Sequence, residues 1–219
     1  MIAQDGFVAA TPAQVAPRLA GAIHVWRVPY QRSERRAPLI AILADYVDAD
    51  PAELALMNDA HGKPHLLLQG TEHRDLHFNW SHSGDYALIA LAQDAMPGID
   101  IEQQREQVRV IEIAQRFFTP DEARELTACT ADEREVMFFR LWCAKEAVLK
   151  AMGRGLAFGL ERVAFQRRGA LWQPGIFDPQ AGDPDTWQVL SITAAAGYAG
   201  ALAWQGAARQ VQAWRLSGS

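Results

Sequence analysis

The stretch from Ala131 to Met152 constrains this chain more than any other. It opens on Thr130-Ala131-Asp132-Glu133, a capping box whose hydroxyl and carboxylate satisfy the first free amides of a helix. It stops at Gly153-Arg154-Gly155, where Gly153 suits the left-handed position after the last turn. Between those signals the helix is apolar over most of its circumference, so it has to be buried. Short apolar or alternating segments bounded by turn residues predict strands at Ile23–Val28, Leu66–Leu68, Leu76–Trp80, Tyr86–Ala92, Ile99–Glu102, Arg162–Gln166, Trp187–Ile192, Tyr198–Trp204 and Val211–Leu216. A long buried helix among many short strands is an α+β arrangement.

Other signals divide the chain further. Thr11-Pro12 opens a short helix that Pro17 and Gly21 end, and Pro38–Val47 is an apolar helix. Asp50-Pro51-Ala52-Glu53 offers an N-cap, a proline at N1 and an acid at N3, which predicts another short helix. Thr119-Pro120-Asp121-Glu122 is a second capping box. Gly62-Lys63-Pro64 reads as a turn, and Ser81-His82-Ser83-Gly84 joins two apolar segments with hairpin chemistry. Gly84-Asp85-Tyr86-Ala87-Leu88 and Gly197-Tyr198-Ala199-Gly200-Ala201 both set a glycine ahead of a tyrosine-led strand of small and aliphatic residues. That likeness predicts two pseudo-symmetric α+β halves, 1–97 and 98–219, each a small antiparallel sheet packed with helices. A site is then expected at their junction. Accidental recurrence of one strand pattern is the plainer alternative.

Composition narrows the function. With a net charge of −5, the chain lacks the basic footprint of a general nucleic-acid binder. Met1 to Phe7 carries no basic region of the kind that opens a secretory signal, and the apolar run Tyr86–Ala92 is far too short to span a bilayer. Cys129 and Cys143 give no disulfide framework. A cytoplasmic protein without membrane or nucleic-acid partners is expected. Among 219 residues there are eighteen arginines and three lysines, Lys63, Lys145 and Lys150. Lysine is a compact point charge rather than a planar fork, so its sparing use near phosphate-binding motifs is informative. Four arginines between Arg27 and Arg36 face one acid, Glu34, which reads as a solvated loop or an anion site.

Three constellations carry chemistry. In Gly98-Ile99-Asp100-Ile101-Glu102, a strand would project Asp100 and Glu102 together and bury Ile99 and Ile101. Paired carboxylates repel unless a cation lies between them, and oxygen ligands of this kind suit Mg²⁺. An acidic strand face in solvent is the bland reading. In Trp142-Cys143-Ala144-Lys145-Glu146-Ala147-Val148-Leu149-Lys150, Glu146 and Lys150 are helical neighbours on a face shared with Phe139, Trp142 and Leu149. A surface ion pair is less fitting there than a cleft, because charges among large apolar groups need partners. Ser81 and His82 diverge along an extended chain and do not make a nucleophilic pair; with Lys63 they suit phosphate oxygens. A rival is the histidine cluster His61, His65, His73, His77 and His82, which could hold Zn²⁺ or Ni²⁺. The turn at Gly62-Pro64, and the lack after His73 of the acid that the metalloprotease pattern needs, argue against it.

Taken in order, Gly62-Lys63-Pro64, Phe78-Asn79-Trp80-Ser81-His82-Ser83, Gly98-Ile99-Asp100-Ile101-Glu102 and Trp142 to Lys150 with Gly153-Arg154-Gly155-Leu156 resemble the Sfp-type 4′-phosphopantetheinyl transferases. The resemblance runs from about Arg36 to Phe165. It implies that Asp100, Glu102 and Glu146 hold Mg²⁺, with Mn²⁺ possible, against the pyrophosphate of coenzyme A. It implies that Arg36, His61, Gly62, Lys63, Ser81, His82 and Lys150 bind that co-substrate, and that Glu146, Lys150 and Asp100 are catalytic. The implied reaction transfers 4′-phosphopantetheine to a serine of an apo acyl or peptidyl carrier protein and releases 3′,5′-adenosine bisphosphate. Arg154, Arg162 and Leu156–Phe158 are the expected carrier-docking residues, and a monomer is expected. The segment Val28–Arg35 is shorter than its family counterpart, so Arg32 and Arg35 stand in for missing basic residues. A coenzyme A binding protein, or a metal-dependent phosphohydrolase, is the competing class.

Overall fold

The computed structural model describes residues 1–59, 62–68, 71–72, 75–105 and 109–217. Five helices, α1 (Pro12–Val15), α2 (Ala37–Val47), α3 (Val110–Phe117), α4 (Pro120–Ala128) and α5 (Ala131–Ala151), accompany thirteen strands among these residues. The first sheet has the order β1 (Val8–Ala10), β13 (Gln210–Leu216), β2 (Ala22–Pro29), β7 (Tyr86–Ala92), β6 (His77–Ser83). The second has the order β11 (Trp187–Ile192), β12 (Tyr198–Gln205), β8 (Gly98–Gln103). Two small sheets, β3 (Leu54–Asn58) with β4 (Pro64–Leu68) and β5 (Thr71–Glu72), and β9 (Val163–Arg168) with β10 (Leu171–Phe177), complete a mixed α+β architecture.

Side-chain alternation explains the layers. Trp26, Val28, Ile89 and Leu91 on one face of the first sheet pack with Leu39, Ile42 and Leu43 of α2. Ile23, Val25, Leu88 and Ala90 on its other face share a core with Ile99, Ile101, Leu202 and Trp204 of the second sheet. On the remaining face of the second sheet β12 carries small residues, Ala199, Ala201 and Ala203, and over them lies α5. Lacking bulk, those alanines let the helix come close to β8 and β12. Gly98 is the tightest point. A Cβ there would strike the Ala147 carbonyl oxygen and the Ala151 amide nitrogen, both helix backbone.

The long helix is buried and ends at Gly153 with φ 70°, as its flanking residues predict. Three expectations differ from the structure. Asp50 to Glu53 makes a single 3₁₀ turn, after which the chain enters β3, because Leu54 and its neighbours pair with the leucines of β4. Ser81-His82-Ser83 belongs to β6 rather than to the turn, which is Gly84-Asp85 alone. The first sheet is not purely antiparallel: β13 runs parallel to both β1 and β2 and lies between them. Cys129 and Cys143 are buried free thiols, and no described helix is long and apolar enough to cross a membrane.

His24 on β2 is fully buried beneath Tyr46 and Trp214, with its Nδ1 2.6 Å from the Tyr46 hydroxyl. Burial, with Arg18 nearby, lowers its pKa to about 4. An unfolded chain therefore takes up a proton between about pH 6.5 and 4 that the folded chain refuses, so stability falls as pH drops through that window. The loss is about 3 kcal/mol at its lower end. Glu146 titrates in the same window with the opposite sign, so the test is a difference: chemical denaturation at pH 7 and pH 4.5 should show acidification costing the native chain more stability than it costs His24→Gln. Equal losses would refute the assignment.

Candidate active site

Strands β6 and β8 lie side by side without a backbone ladder, and polar side chains join them instead. Asn79, Ser81 and Ser83 are two residues apart and so share one face of β6. The Asn79 side-chain oxygen accepts from Ile99 N at 3.0 Å, and Ser81 Oγ donates to Asp100 Oδ1 at 2.8 Å. Ser83 Oγ donates to Glu102 Oε2 at 2.9 Å and accepts from Gln103 N at 3.1 Å. Asp100 and Glu102 thus project from β8 toward α5, on the face opposite Ile99 and Ile101.

From α5 come Glu146 and Lys150. Lys150 Nζ sits 2.6 Å from Asp100 Oδ1 and donates to Ser81 Oγ at 3.0 Å. Burial opposes the Lys150 charge, yet Asp100 and Glu146 beside it raise its pKa above the ordinary value. Asp100 is 3% exposed, and its second oxygen, Oδ2, is buried with no hydrogen-bond partner among the described residues. Glu146 is buried; desolvation first, then Asp100 and Glu102, push its pKa up to about 7 while Lys150 pulls the other way. Burial and the Asp100 charge likewise raise Glu102. Three acids and one lysine therefore occupy a single electrostatic neighbourhood.

A cleft of about 230 Å³ opens next to them, lined by Arg36, Gly62, Lys63, Trp80, Lys150 and Gly153 among others. Lys63 Nζ is buried there without a hydrogen-bond partner among the described residues, and desolvation lowers its pKa. Arg36 donates to the Asn58 side chain at 3.3 Å from the start of α2. His82 points away from Ser81 to the exposed side of β6 and stacks on Tyr30, centroids 4.3 Å apart. Burial, Lys150 and Arg32 lower its pKa. His61 and His73 lie outside the described residues.

The arrangement concentrates cationic donors beside neighbouring carboxylates, a combination suited to a polyanion and a divalent cation. Among the described residues no three His, Cys, Asp or Glu side chains are gathered closely enough to chelate a metal. Lys150 holds one Asp100 oxygen, while Oδ2, unpartnered among the described residues, leaves donor capacity for a cation. Asn79 and Ser83 were not singled out by the sequence reading. The Asn-x-Ser-x-Ser alternation in β6, matching Asp-x-Glu in β8, is the signal that marks them.

Residues 96–203 match the family model described as the 4′-phosphopantetheinyl transferase superfamily. The chain is 35% identical over 156 residues to a Synechocystis protein provisionally named a 4′-phosphopantetheinyl transferase, covering 71% of this chain and 61% of that one. It is 34% identical to the 4′-phosphopantetheinyl transferase Sfp of Bacillus subtilis, over 55% of this chain and 51% of Sfp. It is 44% identical to the 4′-phosphopantetheinyl transferase psf-1 of Bacillus pumilus, over 38% and 35% of the two chains. In these alignments the chain spans from about a third to three fifths of each curated relative's length.

Proposed function

Because the chain belongs to the 4′-phosphopantetheinyl transferase superfamily, we propose that it moves 4′-phosphopantetheine from coenzyme A to a serine of an apo acyl or peptidyl carrier protein. The observation that carries this reading is the Asp100–Lys150–Ser81 contact between β8, α5 and β6, with Glu102 and Glu146 beside it and a cationic cleft adjoining. On this reading the halves 1–97 and 98–219 are pseudo-symmetric lobes centred on β7 and β12, with the site at their junction.

Lys63, Arg36 and Lys150 line the cleft and suit the phosphates of coenzyme A. Gly62 gives Lys63 its backbone approach with φ 85°. His82, stacked on Tyr30 near Arg32, suits the 3′-phosphate at the rim, and His61 is assigned beside Gly62 by family likeness. Asp100, Glu102 and Glu146 would hold Mg²⁺ or Mn²⁺, which when bound supplies neutralisation of the pyrophosphate charge. Lys150 moves its ammonium from Asp100 toward the departing adenosine bisphosphate as negative charge grows there. Glu146 is the carboxylate placed to take the proton of the attacking serine, directly or through one water it polarises. Ser81 and Ser83 keep Asp100 and Glu102 oriented throughout.

Incubation with coenzyme A, Mg²⁺ and an apo carrier protein tests the proposal by mass spectrometry. A carrier heavier by one phosphopantetheine supports it. Free phosphopantetheine with unmodified carrier would mark a phosphohydrolase, and an unchanged mixture a binding protein.

For the carrier, the turn after α5 offers Arg154 and Leu156, both exposed, with Leu156 58% accessible. Arg162 is less free: it donates to Asp178 at 2.8 Å and lies 4.2 Å over the Phe158 ring. Arg154→Glu is therefore expected to raise the carrier KM about five- to tenfold, equivalent to roughly 1 kcal/mol of lost attraction, with the coenzyme A KM unchanged. Steady-state kinetics with each substrate varied in turn checks this, and an unaltered carrier KM would remove Arg154 from the interface.

A further inference from the structure

The residue preceding Glu146 turns away from the site. Lys145 is fully buried, and its Nζ lies 2.7 Å from Glu122 Oε1 on α4. The same ammonium donates to the carbonyls of Leu160 at 2.9 Å and Val163 at 2.7 Å, so its three N–H groups meet three acceptors. Phe118 and Phe165 flank it, ring centroids 5.2 and 5.8 Å away. Glu122 is 1% exposed and equally occupied. Its Oε1 also accepts from Phe165 N at 2.7 Å, and its Oε2 accepts from Thr119 N at 2.8 Å and Thr119 Oγ1 at 2.9 Å. The capping-box acid of α4 thus doubles as the counter-ion of α5.

One buried ammonium therefore ties α5 to the first turn of α4 and to the turn that enters β9. A fully buried pair contributes little net stability compared with apolar packing, but its directional bonds fix one geometry. Consecutive helix residues are about 100° apart around the axis, so anchoring Lys145 on one side sets the direction in which Glu146 leaves on another. Along the adjoining face, the backbone of Ala147 and Ala151 rests on Gly98. Held at both places, α5 cannot roll, and Glu146 and Lys150 stay against β8.

We propose that Lys145 and Glu122 are positioning residues for transfer: their buried ion pair fixes the rotation of α5 that brings Glu146 and Lys150 to Asp100. The inference rests on the functional reading above for its kinetic consequence, though not for its structural one.

The test separates rotation from stability. Removing one partner alone strands a buried charge, so Lys145→Met or Glu122→Leu alone should melt at lower temperature. The double variant, Lys145→Met with Glu122→Leu, exchanges the pair for apolar volume and should melt near the native temperature. Its kcat is expected to fall roughly 10²-fold, the scale of an ångström's misplacement, with KM for coenzyme A and carrier within about twofold. Its crystal structure should show the Lys150–Asp100 contact lengthened beyond hydrogen-bond range. A stable double variant with native kcat, or one that keeps that contact, overturns the proposal. Should the double variant not fold, Lys145→Arg keeps the charge but alters its reach, and the same contact and the same split between kcat and KM decide. A native chain without transfer activity would count against the functional reading, and the crystallographic contact would still judge the pair.

Discussion

Glu146→Gln is expected to lose carrier modification by about 10²–10⁴-fold, the usual worth of a positioned proton acceptor, and to become more stable at pH 8. The two effects share one cause. Glu146 is buried beside Asp100 and Glu102, and its pKa rises from 4.5 to about 7. The folded state therefore binds a proton more tightly than the unfolded state does, and stability falls as pH climbs from about 4.5 to 7. Above that window the ionised carboxylate costs about 3 kcal/mol, which a neutral amide avoids. Thermal denaturation at pH 8 without divalent ions should show the variant melting higher than the native chain. Asp100→Ala should lose transfer as well but shift stability the other way, because it strips Lys150 of its partner. Near-native turnover in either variant, or a less stable Glu146→Gln, would sink these assignments.

Gly98→Val should cost more than any other single change in the second sheet. Even the first atom of the new side chain has no room, since it meets the Ala147 oxygen and the Ala151 nitrogen, with Ala151 Cα at 2.9 Å. These are backbone atoms of a buried helix, not the end of a flexible side chain. To relieve the clash α5 must move off β8, opening a core in which Cys143, Ala147 and Val148 are wholly buried. Overpacking of this kind costs 1–3 kcal/mol in forgiving sites, and about 4 kcal/mol or more is expected where only backbone can yield. Gly98→Ala should show a smaller version of the same loss. Any displacement also parts Asp100 from Lys150, so the proposed transfer should slow even at temperatures where the variant stays folded. Urea denaturation and carrier-modification kinetics would measure both, and a Gly98→Val chain of native stability would refute the packing argument.

Much of this was legible in the residues. The capping box at Thr130 and the glycines after Met152 bound the helix closely, and β11 spans the residues that its alternation predicts. Asp100 and Glu102 share a face for the elementary reason that strand side chains alternate. What escaped has identifiable causes. β10 contains Pro174 and Gly175, which break the strand pattern, and a register shift lies between Pro174 and Ile176. Asp50-Pro51 signals a helix start, but the leucines that follow gain more from pairing with β4. Lys145 could be recognised as a buried cation from its apolar neighbours, yet its partner stands 23 positions earlier on another helix, and only packing reveals it.

The place of β13 has a consequence for biogenesis. Residues 210–216 insert between strands built from residues 8–10 and 22–29, so that sheet cannot close until synthesis has passed residue 216. Nascent chains arrested on the ribosome before this point would keep an open slot beside β2, a ready target for chaperones. Completion of that sheet should then be a late event in folding.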